Sequence, residues 1–369
     1  MLTGQPLSSF RKNLLAWFTQ FQRDLPWRRT RDPYRIWLSE IMLQQTRVAA
    51  AIPYYERFLE RFPDVETLAR APQEEVLRLW SGLGYYSRAR NLQKAAQAIL
   101  TKHNGIFPSE PAEALALPGI GAYTAAAILS IAYQKKLAVL DGNVARVVAR
   151  LAATRGDLRA NGTWQKLQLA ADRLLDEKSP GDWNQAMMEL GATLCTPRSP
   201  QCLLCPLTEF CEARKLGLTD AIPEKRSKRS TVEITLASLV LLDGRGNTLL
   251  LAPPKSRQKS SAPDDVHTLV SRMWHFPTIS LQKTGSTESL RKFAEKSLFR
   301  GRTLAAELLP LKKVRHAVTY RSITILPFLA KLKKLPSVRG AKALPLSELS
   351  AIAISNLTRK VARSALSAV

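Results

Sequence analysis

The chain has 369 residues, enough for two or three domains at roughly 100–200 residues each. Its 45% apolar and 23% charged residues exclude wholesale disorder and collagen-like sequence. No apolar run reaches the ~18–20 residues of a membrane span, and the N-terminal MLTGQPLSSFRKNLLAWF lacks the order of a signal peptide. The expectation is a cytoplasmic protein, nucleoid-associated if bacterial, with no membrane partner. Against 30 Asp and Glu stand 55 Lys and Arg, a net charge of +25 that exceeds what solubility needs and points to a polyanionic partner. The excess is +8 up to Leu216 and +17 beyond it.

Up to about residue 216 the sequence reads as short helices punctuated by Pro and Gly, an all-α region. Ser39 to Ile52 (SEIMLQQTRVAAAI) opens on a Ser that can cap and a Glu in the first turn, both favourable to a helix N-terminus. Residues 72–80 and 87–100 carry apolar side chains at helical spacing, with Gly82 and Gly84 between them, and the pattern continues through 122–133 and 164–175. The stretch 217–230 (GLTDAIPEKRSKRS) is polar and basic, which predicts a linker. Beyond it, 231–242 (TVEITLASLVLL), the turn DGRGN and LLLA predict a β-hairpin, and 322–330 another strand. This part is α+β, with a mobile loop expected at 255–265 (KSRQKSSAPDD).

All four cysteines fall within seventeen residues, as Cys195, Cys202, Cys205 and Cys211 in the spacing C-x6-C-x2-C-x5-C. Disulfides closing such short loops would constrain little, so the cluster reads as a ligand set. Four thiolates suit a structural zinc or a [4Fe–4S] cluster, and softness alone does not choose between them.

The segment Leu117–Thr124 (LPGIGAYT) follows one helical stretch and opens another. Gly119 and Gly121 permit a tight turn whose backbone N–H groups point outward at a helix N-terminus, where a phosphate can bind. The turn resembles the helix-hairpin-helix element of DNA-repair glycosylases, which grips the sugar-phosphate backbone without reading sequence. Twenty residues after Gly121 stands Asp141, in VLDGNVARV. Alone it reads as a helix cap; the same family places an aspartate there.

The cysteine pattern beyond Asp141 resembles the iron–sulfur loop of the endonuclease III-like superfamily. The segments LPWR (25–28), SEIMLQQTR (39–47), GLGYYSRARNL (82–92), LPGIGAYTAAAI (117–128), LDGNVARV (140–147) and WNQAMMELGATLCTP (183–197) resemble adenine DNA glycosylases of the MutY type. The resemblance runs through nearly all of residues 10–215 in order. It implies an all-α helix-hairpin-helix glycosylase domain over 1–216, with the iron–sulfur loop at 195–211, the basic linker at 217–230, and an α+β Nudix-like lesion-recognition domain over 231–369. It also implies one [4Fe–4S] cluster on Cys195, Cys202, Cys205 and Cys211, and a monomer acting on duplex DNA that carries A opposite 8-oxoguanine or G.

Residue roles follow from the same resemblance. Glu40 is the acid that protonates adenine and helps activate water, and Asp141 stabilises the electron-poor sugar. Tyr123 and Asn143 position them. Bifunctional relatives carry a Schiff-base lysine where this chain has Tyr123, which implies a monofunctional glycosylase. Arg23, Leu25, Trp27, Arg28, Val48 and Gln185 match the adenine pocket. Gln45 and Tyr85 enter the base stack with Leu83 nearby, and Gly119 and Gly121 meet the backbone. In the second domain MWHFP (273–277) fits the family's W-x-F-P segment, and no Nudix hydrolase box is present. Where relatives show Phe-Ser-His or Phe-Thr-His, this chain has Val318, Thr319 and Tyr320, expected to contact 8-oxoguanine.

Overall fold

The computed structural model describes residues 4–158, 160–224, 230–253, 273–281, 287–318 and 320–369. The chain forms two compact units, Met1–Arg70 with Asn91–Ser227, and Ala71–Arg90 with Lys228–Val369. A division into continuous halves therefore does not hold: residues 71–90 belong with the C-terminal part.

The first unit is helical, built from α1 (Gln5–Phe21), α2 (Pro33–Leu43), α3 (Val48–Arg61) and α4 (Val65–Arg70). After α5 (Gln73–Trp80), which lies in the second unit, it continues through α6 (Ser87–Lys102, whose first turn straddles the boundary), α7 (Pro111–Leu115) and α8 (Ala122–Tyr133). It closes with α9 (Gly142–Leu151), α10 (Asn161–Leu174), α11 (Pro180–Thr193) and α12 (Glu212–Lys215). The single helix expected over 39–52 is two helices broken at Gln44–Arg47. Asp32 and Pro33 start the first one: the Asp32 carboxylate accepts from Tyr34 N at 2.8 Å, and proline at the first position has no N–H to leave unsatisfied. Ser39 is thus no cap; it is buried in mid-helix and its hydroxyl donates to Ile36 O at 2.8 Å.

Phe10, Leu14 and Phe18 of α1 pack with Val144, Val147 and Val148 of α9 and Trp183, Met187 and Leu190 of α11 in one core. Aromatic contact adds to the apolar burial, since the Phe10 ring lies 5.7 Å from Trp183 and 5.4 Å from Phe210. The stretch 217–230 is only in part a linker, because Leu218 packs against this core and Ile222 is buried within it. Apolar side chains two turns after α12 find that core before the charged run begins.

Among the described residues, the second unit centres on a mixed seven-stranded sheet with path β4-β6-β1-β2-β7, where β3 pairs with β1 and β5 with β6. The strands are β1 (Val232–Asp243), β2 (Asn247–Leu251), β3 (Thr278–Leu281), β4 (Leu309–Pro310), β5 (Val314–Val318), β6 (Arg321–Leu332) and β7 (Ala341–Pro345). Strands β1 and β6 run parallel, with Leu236 opposite Ile325. Ile234, Leu236, Val240 and Leu242 of β1 face a core that includes Leu357 and Val361 of α14 (Asn356–Leu366), while Ala237, Leu239 and Leu241 face Leu290 and Ala294 of α13 (Thr287–Ser297). Burial on both faces is why 231–242 reads as a nearly unbroken apolar run. The expected hairpin joins β1 to β2, closed by Gly246 N donating to Asp243 O at 3.0 Å. The loop expected at 255–265 and Thr319 lie outside the described residues.

Candidate active site

A cavity of about 550 Å³ opens in the helical unit. It is lined by Glu40, Tyr123, Asp141 and Asn143 together with all six residues of the expected base pocket: Arg23, Leu25, Trp27, Arg28, Val48 and Gln185. Side chains from α2, α3, α8, α9 and α11 meet there, so the site depends on the core behind it. Gln45 also lines it.

Glu40 lies in the second half of α2 among core residues and is 6% exposed. Its Oε2 accepts from the Tyr123 hydroxyl at 2.8 Å, and the same hydroxyl lies 3.2 Å from Met188 Sδ. Burial pushes the Glu40 carboxyl up to about 7; the Tyr123 hydrogen bond opposes the rise, the Asp141 charge adds to it, and Arg28 opposes it.

Asp141 caps α9. Its Oδ1 accepts from Asn143 N at 2.9 Å and Val144 N at 2.7 Å, and its Oδ2 accepts from the Asn143 side-chain amide at 3.3 Å. Burial raises this carboxyl as well, but those two backbone donors favour its charged form and oppose the shift, as does Arg146. Asn143 in turn accepts from Arg146 Nη2 at 3.0 Å.

Glu189 lines the same cavity and carries no signature of its own in the sequence beyond being a charge beside the core residues Ala186 and Leu190. Its side chain is 1% exposed and accepts from Arg23 Nη2 and from Arg28 Nη2, each at 2.7 Å. Burial works against its charge, yet the hydrogen bonds from Arg23 and Arg28 prevail and hold it at about 2. One cavity thus holds a carboxyl poised near neutrality and another locked as an anion.

Gly119 has φ +81, and a Cβ there would meet Asn91 Cβ at 2.7 Å, so the turn before α8 requires glycine. Gly121 is different: it has extended backbone as the N-cap of α8, and a Cβ there would meet nothing within 4 Å. Leu83 and Tyr85 stand on the Gly82–Tyr86 turn of the second unit, Leu83 at 9% and Tyr85 at 40% exposure. Gln45 and Tyr85 both adopt left-handed backbone, φ 58 and 48, which costs a non-glycine residue roughly 1–2 kcal/mol. In the second unit Val318 pairs with Arg321, and Tyr320 is 37% exposed with the Arg321 guanidinium 4.9 Å from its ring centre.

Cys195, Cys202, Cys205 and Cys211 line a second, small cavity at the end of α11. The loop that carries them is tied to α9: Arg146 Nε donates to Cys195 O at 2.8 Å, and Arg150 Nη1 donates to Thr196 O at 2.8 Å and to Cys195 Sγ at 3.3 Å. Burial pushes the Cys205 thiol up to about 12, with crowding by the other three adding to the rise. Four thiols lining one cavity, with burial disfavouring the thiolates of Cys205 and Cys211, suit a bound metal cluster whose positive charge would offset that cost. Neither arginine stands out in the sequence as a support for this loop.

Residues 38–171 match the helix-hairpin-helix superfamily of base excision DNA repair proteins, and residues 195–211 match the iron–sulfur binding domain of endonuclease III. The loop is therefore an iron–sulfur site. An adenine DNA glycosylase of Mus musculus is 34% identical over 97% of this chain and 78% of its own length. That of Homo sapiens is 47% identical over 57% of this chain, which spans 40% of the human protein. Among solved structures, a thermostable thymine-DNA glycosylase matches at TM-score 0.53 and 30% identity over 57% of this chain and 97% of that one. Endonuclease III trapped in a covalent DNA intermediate matches at 0.50 and 25%, over 59% of this chain and 100% of that one. Taken with the carboxyl pair, the glycine turn and the cysteine loop, these similarities establish that the chain belongs to the adenine DNA glycosylases of the helix-hairpin-helix base excision repair superfamily.

Proposed function

We propose that this protein hydrolyses the N-glycosidic bond of adenine opposite 8-oxoguanine, and more slowly opposite G, in duplex DNA. The observation that carries this reading is the pair of carboxyls in one cavity, Glu40 hydrogen-bonded to Tyr123 and pushed up to about 7, Asp141 held by the N-terminus of α9. Near neutral pH a large share of Glu40 is protonated and can donate to N7 of an extruded adenine, turning the base into a better leaving group. Asp141, as carboxylate, faces the developing positive charge at C1′ and lowers its energy. Glu40, then ionised, accepts a proton from the attacking water. Tyr123 orients Glu40, and Asn143 orients Asp141. Glu189 keeps Arg23 and Arg28 fixed beside the base.

Tyr123 offers no amine for a Schiff base, which supports a monofunctional enzyme. The open space at Gly121 supports close approach of a phosphate to the α8 N-terminus, with Gly119 shaping the turn. Extrusion of adenine leaves a gap, and Gln45 and Tyr85 are the side chains we assign to the base stack there, with Leu83 nearby. Val318, Thr319 and Tyr320 are the segment we assign to 8-oxoguanine, and the Nudix-like unit acts there by contact and not by hydrolysis. The cysteine set supports one [4Fe–4S] cluster, which when bound supplies structural cross-linking of the 195–211 loop. The protein acts as a monomer.

Single-turnover cleavage on three duplexes tests the reading: A opposite 8-oxoguanine, A opposite G, and an oxidised pyrimidine. Adenine release from the first two, with strand breakage only after alkali, is expected. Excision of the pyrimidine with direct strand breakage and no adenine release would overturn it.

A further inference from the structure

The Gly82–Tyr86 turn is held by side chains from the far end of the sequence. On its own side, Trp80 Nε1 donates to Gly84 O at 3.2 Å and Arg88 Nη2 donates to Gly84 O at 3.1 Å, with the Arg88 guanidinium 5.6 Å from the Tyr85 ring centre. From α14, Arg359 Nη2 donates to Ser81 Oγ at 2.7 Å and to Ser81 O at 3.3 Å, while Asn356 Nδ2 donates to Gly82 O at 3.0 Å. The Ser81 hydroxyl donates to Ile354 O at 2.7 Å. Gly82 has φ 118, a conformation that only glycine adopts readily and that carries no preference of its own. Two consecutive carbonyls fixed from outside set the peptide planes on either side of that glycine. The direction in which residues 83–85 leave the turn is set with them.

We propose that Arg359 and Asn356 are positioning residues for the Leu83–Tyr85 turn, holding it in the shape in which Tyr85 enters the base stack. This rests on the reading of Tyr85 as an intercalating side chain. The final helix then serves base extrusion through residues 81–85, separately from any contact that the Val318–Tyr320 segment makes with the lesion. Without those two donors Tyr85 relaxes from its left-handed backbone, and the turn must be ordered anew at each encounter with DNA.

The experiment uses the full chain with Arg359→Ala, Arg359→Lys, Asn356→Ala and Tyr85→Ala. Without DNA, Arg359→Ala should speed amide exchange at Leu83 and Arg88, with exchange in β1 unchanged and Arg359→Lys restoring part of the protection. On duplexes carrying 2-aminopurine beside the target adenine, the same variant should lower the unstacking signal and slow single-turnover release roughly three- to tenfold, the scale of losing hydrogen bonds of this kind. In the Tyr85→Ala background, Arg359→Ala should cause no further slowing, because a residue acting through Tyr85 has nothing left to position. Unchanged exchange at residues 83–88, or equal slowing with and without Tyr85, would overturn the proposal. Should Arg359→Ala not fold, Asn356→Ala applies the same test through the Gly82 carbonyl. If Tyr85→Ala left both unstacking and release at wild-type levels, the intercalation reading would fall, while exchange would still decide whether α14 holds the turn.

Discussion

The Tyr123 hydroxyl and the Glu40 carboxylate, 83 residues apart in the chain, meet at 2.8 Å. A phenol donating to a buried carboxylate stabilises its charged form, so Tyr123 limits how far burial can raise Glu40. The result is a group at about 7, near enough to neutrality to give a proton and take one back.

Glu40→Gln keeps an oxygen for Tyr123 but has no proton to give. Single-turnover adenine release should fall by about 10²–10⁴-fold, with duplex binding nearly unchanged. Stability changes in the opposite sense. A carboxyl raised from 4.5 to about 7 by folding makes the folded state bind more protons, so wild-type stability is lost as pH rises between those values. Glu40→Gln should therefore melt above the wild type at pH 8, with the gain, at most ~3 kcal/mol, vanishing toward pH 4.5. A thermal shift that did not depend on pH would refute the burial argument.

Asp141→Asn separates capping from chemistry. Asparagine caps helices about as well as aspartate, so the melting temperature should stay within a few degrees while excision is severely reduced. Asp141→Ala should lose excision and also ~1 kcal/mol of stability. Measuring both by calorimetry and single-turnover kinetics checks the assignment; substantial activity in Asp141→Asn would mean that the carboxylate serves only the helix.

Purified protein should be brown and contain about four iron per chain. Cys202→Ser should lower iron content and expose the 195–211 loop to protease, since ligation contributes folding energy. Colourless protein holding one zinc after anaerobic preparation would refute the [4Fe–4S] assignment.

Thr319→Ala tests lesion recognition within the intact chain. A hydrogen bond to a neutral partner contributes about 0.5–1.5 kcal/mol, so the ratio of single-turnover rates on A opposite 8-oxoguanine and A opposite G should fall roughly three- to tenfold. An unchanged ratio would move recognition away from the Val318–Tyr320 segment.

What the sequence revealed follows the range of the interactions involved. The turn at Gly119 and the helix at 122–133 are local, and the structure has them as the sequence indicates, whereas Gly121 is an extended N-cap. The break at Gln44–Arg47 is hidden because Ser39 and Glu40 imitate a helix start, while the true cap, Asp32 before Pro33, stands seven residues upstream of Ser39. The role of Glu189 is not legible locally because it comes from Arg23 and Arg28, more than 160 residues away. The membership of residues 71–90 was hidden for the same reason, since no local pattern announces that Ser81 bonds Arg359.

The chain crosses between the two units more than once, because Ala71–Arg90 leaves the helical unit and returns to it before the C-terminal sheet is made. A single proteolytic cut between Glu224 and Ser230 would therefore divide the backbone but not the second unit, whose pieces would lie on both fragments. The nicked protein should run as one species in native chromatography and separate only in denaturant. A fragment of the C-terminal residues alone would lack the Ser81–Gly82 turn that Asn356 and Arg359 bond.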